Sequence, residues 1–221
     1  MNMLLSTLFA LAVSCATAAS LAQDIKGDAQ AGQTKNAMCI GCHGIVGYQA
    51  SFPEVYKVPM ISGQSAGYLL AALHEYKKGD RKHPTMRAIA GSLTDQDIAD
   101  LAAFYEGHGA SSVKAVAETT PAAAPADVAA LLAKGACASC HGANFNKPID
   151  AGYPKLAGQH GDYLYVALRA YGTEGNAQVG RGNAIMGGQV KQFKHEELKQ
   201  LADYIGSLQG DVRTVPESRF R

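Results

Sequence analysis

Two five-residue words carry the chemistry of this chain: Cys39-Ile40-Gly41-Cys42-His43 and Cys137-Ala138-Ser139-Cys140-His141. C-x-x-C-H is the spacing at which a c-type haem is attached. Cysteines at i and i+3 of a helical turn share a face, so both sulfurs reach the vinyl groups of one porphyrin, and the following histidine is turned toward its iron. Two covalently bound haem c groups, on Cys39 and Cys42 and on Cys137 and Cys140, are the reading these words favour. Two other chemistries use the same residues. Zinc ribbons bring two C-x-x-C pairs close together, whereas here the first cysteines stand 98 residues apart with an equivalent histidine after each pair. A redox dithiol occurs once, after a strand in a βαβ unit, a context this chain lacks.

A haem iron held by one histidine has a second axial position, and a methionine there gives a saturated, electron-passing centre of raised potential. Met86 follows His43 by 43 residues, and Met186 follows His141 by 45. Recurrence at matching places marks His43 with Met86, and His141 with Met186, as the axial pairs. Met38 adjoins its cysteine on the wrong side, and Met60 is matched by Lys155, so both read as packing residues. Bis-histidine ligation is the rival: His83 lies three residues before Met86, but the second loop has no histidine. His74, His108, His160 and His195 lack repeated partners and read as surface residues.

The repeat extends well beyond the haem words. Pro59-Met60-Ile61-Ser62-Gly63-Gln64 with Tyr68-Leu69 returns as Pro154-Lys155-Leu156-Ala157-Gly158-Gln159 with Tyr163-Leu164. Tyr68, Leu69, Ala72, Leu73 and Tyr76 recur at helical spacing, as do Tyr163, Leu164, Ala167, Leu168 and Tyr171, and both stripes are expected to face a haem or core. Thr94 with Asp97 predicts a capped closing helix, stapled by Leu93 and Ile98; its copy keeps Phe193 and Leu198 but puts Lys194 at the cap. Little β-branched periodicity argues against sheet. The chain therefore reads as all-α, two tandem domains made by internal duplication. The first spans 23–109 and the second 127–212, joined by a Pro- and Ala-rich linker over 110–126 and followed by a tail over 213–221. Domains this small bury little surface, so a central haem doubles as core.

Residues 1–22 hold no Lys, Arg, Asp or Glu and contain an apolar run, which predicts a cleaved signal peptide and a periplasmic destination. A retained anchor and a lipoprotein cysteine at Cys15 are the alternatives, so peripheral membrane association stays open. Without Cys15 every remaining cysteine lies in a haem word, leaving no thiol for disulfides or nucleophilic catalysis. Twenty basic and 19 acidic residues leave a net +1, which gives no electrostatic case for nucleic acid. A local basic cluster of Lys77, Lys78, Arg81, Lys82 and Arg87 leads into the Met86 loop. It reads as a docking patch for an acidic partner or as a solvated helix end.

The two haem words, the trailing methionines and the Pro/Gly-Gln turns together resemble the dihaem class I cytochromes c of the cytochrome c4 family, over nearly the whole mature chain. The resemblance implies two tandem class I cytochrome c domains related by a pseudo-twofold, with haems near their interface, acting as a periplasmic carrier to a terminal oxidase. It also implies that the carbonyls of Pro59 and Pro154 orient the ligand histidines. It further implies that Gly32 of the first helix crosses Phe104 closely, with Ala130 opposite Tyr204 in the second copy. The chain is then an electron carrier and no enzyme in itself. Two other readings remain: the cytochrome subunit of a dehydrogenase complex such as a flavocytochrome, and a haem enzyme or gas sensor with one open iron.

Overall fold

The computed structural model describes residues 25–110 and 123–216; the predicted signal peptide, most of the linker and the last residues of the tail lie outside them. In the first half, α1 (Ala29–Lys35) starts where the Asp28 carboxylate accepts from the amides of Gln30 and Ala31. After it come α2 (Ala37–His43), the strands β1 (Gln49–Ala50) and β2 (Tyr56–Lys57), and α3 (Ala66–Lys78), which Ser65 caps and the left-handed Gly79 ends. β3 (Arg81–Lys82), α4 (Pro84–Gly91) and α5 (Asp95–Gly107) complete this half. Thr94 and Asp97 close a full capping box on α5, as the sequence predicts, and Leu93 and Ile98 are buried in one cluster.

The second half repeats the order with α6 (Ala126–Lys134), α7 (Ala138–His141), α8 (Gly161–Tyr171), β4 (Gly180–Arg181), α9 (Ala184–Val190) and α10 (His195–Ser207). Lys194 cannot accept a backbone proton, so only the return bond survives at the start of α10, from the Lys194 amide to the Glu197 carboxylate. Each half has its own core. One is built on Ile40, Leu69, Ile98 and Leu101, the other on Phe145, Leu164, Ala202 and Ile205.

Gly32 is a forced choice, since a Cβ there would lie 2.1 Å from the Asp100 carbonyl oxygen and 2.7 Å from Phe104 Cβ. α1 and α5 therefore cross with their backbones in contact. The second copy departs from expectation: Ala130 is solvent-exposed, and Val128 is the residue that α6 buries.

The fold also holds two short antiparallel pairings that the periodicity did not signal, because strands of two residues have no period to read. β1 pairs with β2, and β3 pairs with β4, with Arg81 opposite Arg181 and Lys82 opposite Gly180. The second pairing joins the two halves. Around it the seam is closed by a near-symmetric exchange. Gln159 Oε1 accepts from the Met60 amide and its Nε2 donates to the Met60 carbonyl, while Gln64 does the same with Lys155, all at 2.8–3.0 Å. Both glutamines follow a left-handed glycine, Gly63 at φ +80° and Gly158 at φ +76°, which turns the chain so that the amide crosses. Lys57 with Asp162, Arg169 with Glu54, and a bridge from Arg213 back to Ser62 add to the contact.

Candidate haem sites at the domain seam

Cys39, Cys42 and His43 lie on α2, the last two in its final turn, and Met86 stands in the first turn of α4. All four line one cavity of about 360 Å³ whose remaining wall includes Leu69, Leu73, Leu101 and Tyr105. The cavity continues across the seam to Pro154, Gln159 and Tyr163. An apolar hollow lined by two thiols and an imidazole from α2 and a thioether from α4 holds the donor set a c-type haem requires.

His43 Nδ1 lies 2.7 Å from the Pro59 carbonyl oxygen. A carbonyl only accepts, so Nδ1 carries the proton and Nε2 presents its lone pair. Burial lowers the His43 pKa against the opposing pull of that hydrogen bond, and the lowering favours the neutral ring that can ligate. His141 repeats the arrangement with Pro154 at 3.3 Å, and burial again lowers its pKa. Burial pushes the Cys39 thiol up to about 11 and raises Cys137 as well, as expected of sulfurs held in an apolar wall rather than of reactive thiolates. Among the described residues no three His, Cys, Asp or Glu side chains converge as a metal cage, and the two C-x-x-C pairs sit in separate halves.

The methionine arms are held differently. His83 caps α4, its Nδ1 accepting from the Met86 amide at 3.4 Å, while Nε2 meets the Tyr56 hydroxyl at 3.1 Å and Phe52 packs edge-on against the ring. Both nitrogens of the rival ligand are thereby engaged. In the second half Asn183 caps α9 by accepting from the Met186 amide, and Gly187 and Gly188 follow directly. A separate hollow of about 240 Å³ between α8, α9 and α10 is lined by Leu168, Val190 and Leu198 and contains none of Cys137, Cys140, His141 or Met186.

Other expectations are corrected. Arg81 is no part of an exposed basic patch: it is 3% exposed and donates to the Tyr68 hydroxyl at 2.9 Å. Lys77 is tied to Asp95 and the Leu93 carbonyl, Lys78 lies 3.7 Å from Asp80, and Lys82 donates to the Asn176 carbonyl. Arg81 is thereby withdrawn from the cluster, while Lys78 and Arg87 stay exposed. Tyr68 and Tyr163 face the cavity as their stripes predict, and their hydroxyls also accept from Arg81 and Arg181 at the seam. His108 is half-buried, bonded to Ser62 and packed on Phe104, because α5 ends against the Ser62 turn. Met38 is 52% exposed at the cavity mouth rather than packed. Gln64, Gln159, Arg81 and Arg181 are the residues the sequence reading missed, and their recurrence in both copies was the signal that marks them.

The cytochrome c family matches residues 29–107 and again residues 125–209. The chain is 33% identical over 197 residues to cytochrome c4 of Stutzerimonas stutzeri, covering 82% of this chain and 90% of that protein. It is 30% identical over 189 residues to the thiosulfate dehydrogenase electron acceptor of the same species, covering 81% and 83%. The crystal structure of reduced recombinant cytochrome c4 from Pseudomonas stutzeri matches with a TM-score of 0.57 at 30% identity, over 83% of this chain and 100% of that one.

Proposed function

The chain belongs to the cytochrome c family, in its two-haem cytochrome c4 branch, and from that premise we propose that it is a periplasmic carrier delivering electrons one at a time to a terminal oxidase. Two covalently attached haem c groups, on Cys39 and Cys42 and on Cys137 and Cys140, and a role in electron transfer follow from the family itself. The proposal extends to the axial pairs His43 with Met86 and His141 with Met186, to domains spanning 23–109 and 127–212 about a linker at 110–126, and to export by a signal peptide at 1–22. Among the described residues no helix is long and apolar enough to cross a membrane.

The observation that carries the reading is the single cavity in which Cys39, Cys42, His43 and Met86 meet, with its donors repeated in order in the second half. When bound, the haem supplies a reversible ferric/ferrous couple. The chain's own residues do the rest. Two cysteines fix the ring by thioethers, and the Pro59 carbonyl aims the His43 imidazole. Met86 is set in the first turn of a helix capped by a histidine whose far nitrogen is braced by Tyr56. Leu69, Leu101 and Tyr105 exclude water from the wall. Ligands held by packing and second-layer hydrogen bonds move little between oxidation states, which suits electron passage over bond chemistry.

Membranes from the native host that contain its terminal oxidase should oxidise the reduced protein at rates matching respiration. Absence of that oxidation would overturn the oxidase assignment. The relative that accepts electrons from thiosulfate dehydrogenase supports a second reading, in which this chain serves a dehydrogenase. Stoichiometric co-purification of a dehydrogenase would favour it.

A further inference from the structure

The two halves differ where the end of α8 meets the end of α9 and the start of α10. In the first half the matching gap, between α3, α4 and α5, is closed by Lys77 of α3. Its ammonium donates to the Leu93 carbonyl at 2.8 Å and to the Asp95 carboxylate at 3.0 Å. Neither member of that ion pair recurs. In the register that matches Tyr68 with Tyr163 and Leu93 with Phe193, Gly172 stands at the position of Lys77 and His195 at that of Asp95. What remains is a hollow of about 240 Å³. The backbone does not demand this glycine. Gly172 lies in the right-handed region at φ −88°, and a Cβ built there meets nothing nearer than 3.5 Å. Its missing side chain serves no turn and leaves the hollow open.

The chemistry of the hollow is one-sided. Leu168, Val190 and Leu198 form an apolar floor, the last two only 4% exposed. The ionisable side chains that line it, Arg169, Lys191 and His195, are all bases. Glu54 and Glu174 pair with Arg169 and Lys191 from outside the lining, at 2.9 and 2.6 Å. Both pairs are open to solvent, where an ion pair holds little energy, so either cation can turn to a competing anion. We propose that the hollow binds a small organic monocarboxylate whose apolar body is about the size of one benzene ring. The carboxylate meets the basic rim, and the body covers the Leu168, Val190 and Leu198 floor. A dry cavity of about 150 Å³ lined by such side chains takes up benzene, so about 240 Å³ holds a ring together with its carboxylate. The first half has no matching site, because Lys77 fills the gap and Asp95 repels a carboxylate. One site per chain follows. The proposal stands apart from the haem reading, since none of the haem donors lines the hollow.

The test titrates full-length holoprotein with sodium benzoate at neutral pH and fixed ionic strength, followed by isothermal calorimetry and by backbone amide chemical shifts. One benzoate per chain is expected, with a dissociation constant on the order of 1 mM. The amides of Val190, Lys191 and His195 should shift and saturate together. Benzamide keeps the shape without the charge and acetate keeps the charge without the ring, so each should bind at least about tenfold more weakly. Gly172→Leu refills the space without adding charge and should abolish saturation, and Lys191→Gln should weaken binding. Shifts that never saturate or that scatter over the surface, two benzoates per chain, benzamide binding as tightly as benzoate, or unchanged binding in Gly172→Leu would overturn the site. If Gly172→Leu does not mature, the stoichiometry and the benzamide comparison on the unsubstituted protein decide.

Discussion

Replacing Gln64 by alanine probes the seam at a point where its contribution can be worked out. Gln64 is 3% exposed. Its Oε1 accepts from the Lys155 amide at 2.9 Å and the Ser65 amide at 3.0 Å, while Nε2 donates to the Lys155 carbonyl at 2.9 Å. Three neutral hydrogen bonds at about 1 kcal/mol net each give a loss of about 3 kcal/mol, more if water cannot reach the stranded Lys155 groups. Two of the three bonds cross the seam, so most of the loss falls on docking of the halves rather than on either core. Guanidinium unfolding of the oxidised holoprotein, followed separately by far-ultraviolet circular dichroism and by haem absorbance, is the assay. The unsubstituted protein should unfold in one transition. Q64A should unfold at lower denaturant with the two halves separating into distinct steps. Gln159→Ala should behave alike, since Gln159 makes the same exchange with Met60. A loss under about 0.5 kcal/mol, within the range of ordinary surface substitutions, would refute the idea that these amides hold the halves together.

Gly32→Ala forces a Cβ into the Asp100 carbonyl and should cost about 1–3 kcal/mol as the helices part, read as a lower melting temperature of the holoprotein. The carboxyl of Asp100 accepts from Lys35, from the Asp28 amide and from Gln96, and the hydrogen bond from Lys35 leads the causes that hold its pKa below the ordinary value; Lys35 does the same for Asp97. A depressed folded-state pKa contributes stability above the unfolded value of about 4 that is lost as pH falls through the folded one. Asp100→Asn should therefore flatten the acid limb of urea unfolding measured from neutral pH downward, and an unaltered limb would contradict the assignment. Tyr56→Phe removes the brace on His83, and loss of about 1 kcal/mol should speed imidazole binding about fivefold at the first haem and leave the second unchanged. Stopped-flow absorbance on the ferric protein distinguishes the two.

Much of this architecture was legible because duplication printed it twice. The haem words, the order of their donors and the capped start of α5 are local signals, each set by a few neighbouring residues such as Thr94 and Asp97. The close approach at Gly32 followed from family resemblance and is realised in the backbone contact with Asp100. The seam was not legible in the same way. Gln64 reads as a turn residue and Arg81 as one member of a basic run, and only the juxtaposition of residues about 90 to 100 apart in sequence turns them into an interface. Strands two residues long carry no alternation, so β3 and β4 left no trace in the hydrophobic pattern. Ala130 was misplaced because α6 turns Val128 inward instead, a rotation that the shared spacing to the haem word does not reveal.

Methionine ligation at both irons is tested most directly by the weak long-wavelength sulfur-to-iron absorption band of the oxidised protein. A band with the intensity of two methionine-ligated haems is expected, reduced by about half in Met86→Ala, by about half in Met186→Ala, and absent when both are replaced. A band that survives the double substitution, or one already missing in the unsubstituted protein at neutral pH, would contradict it.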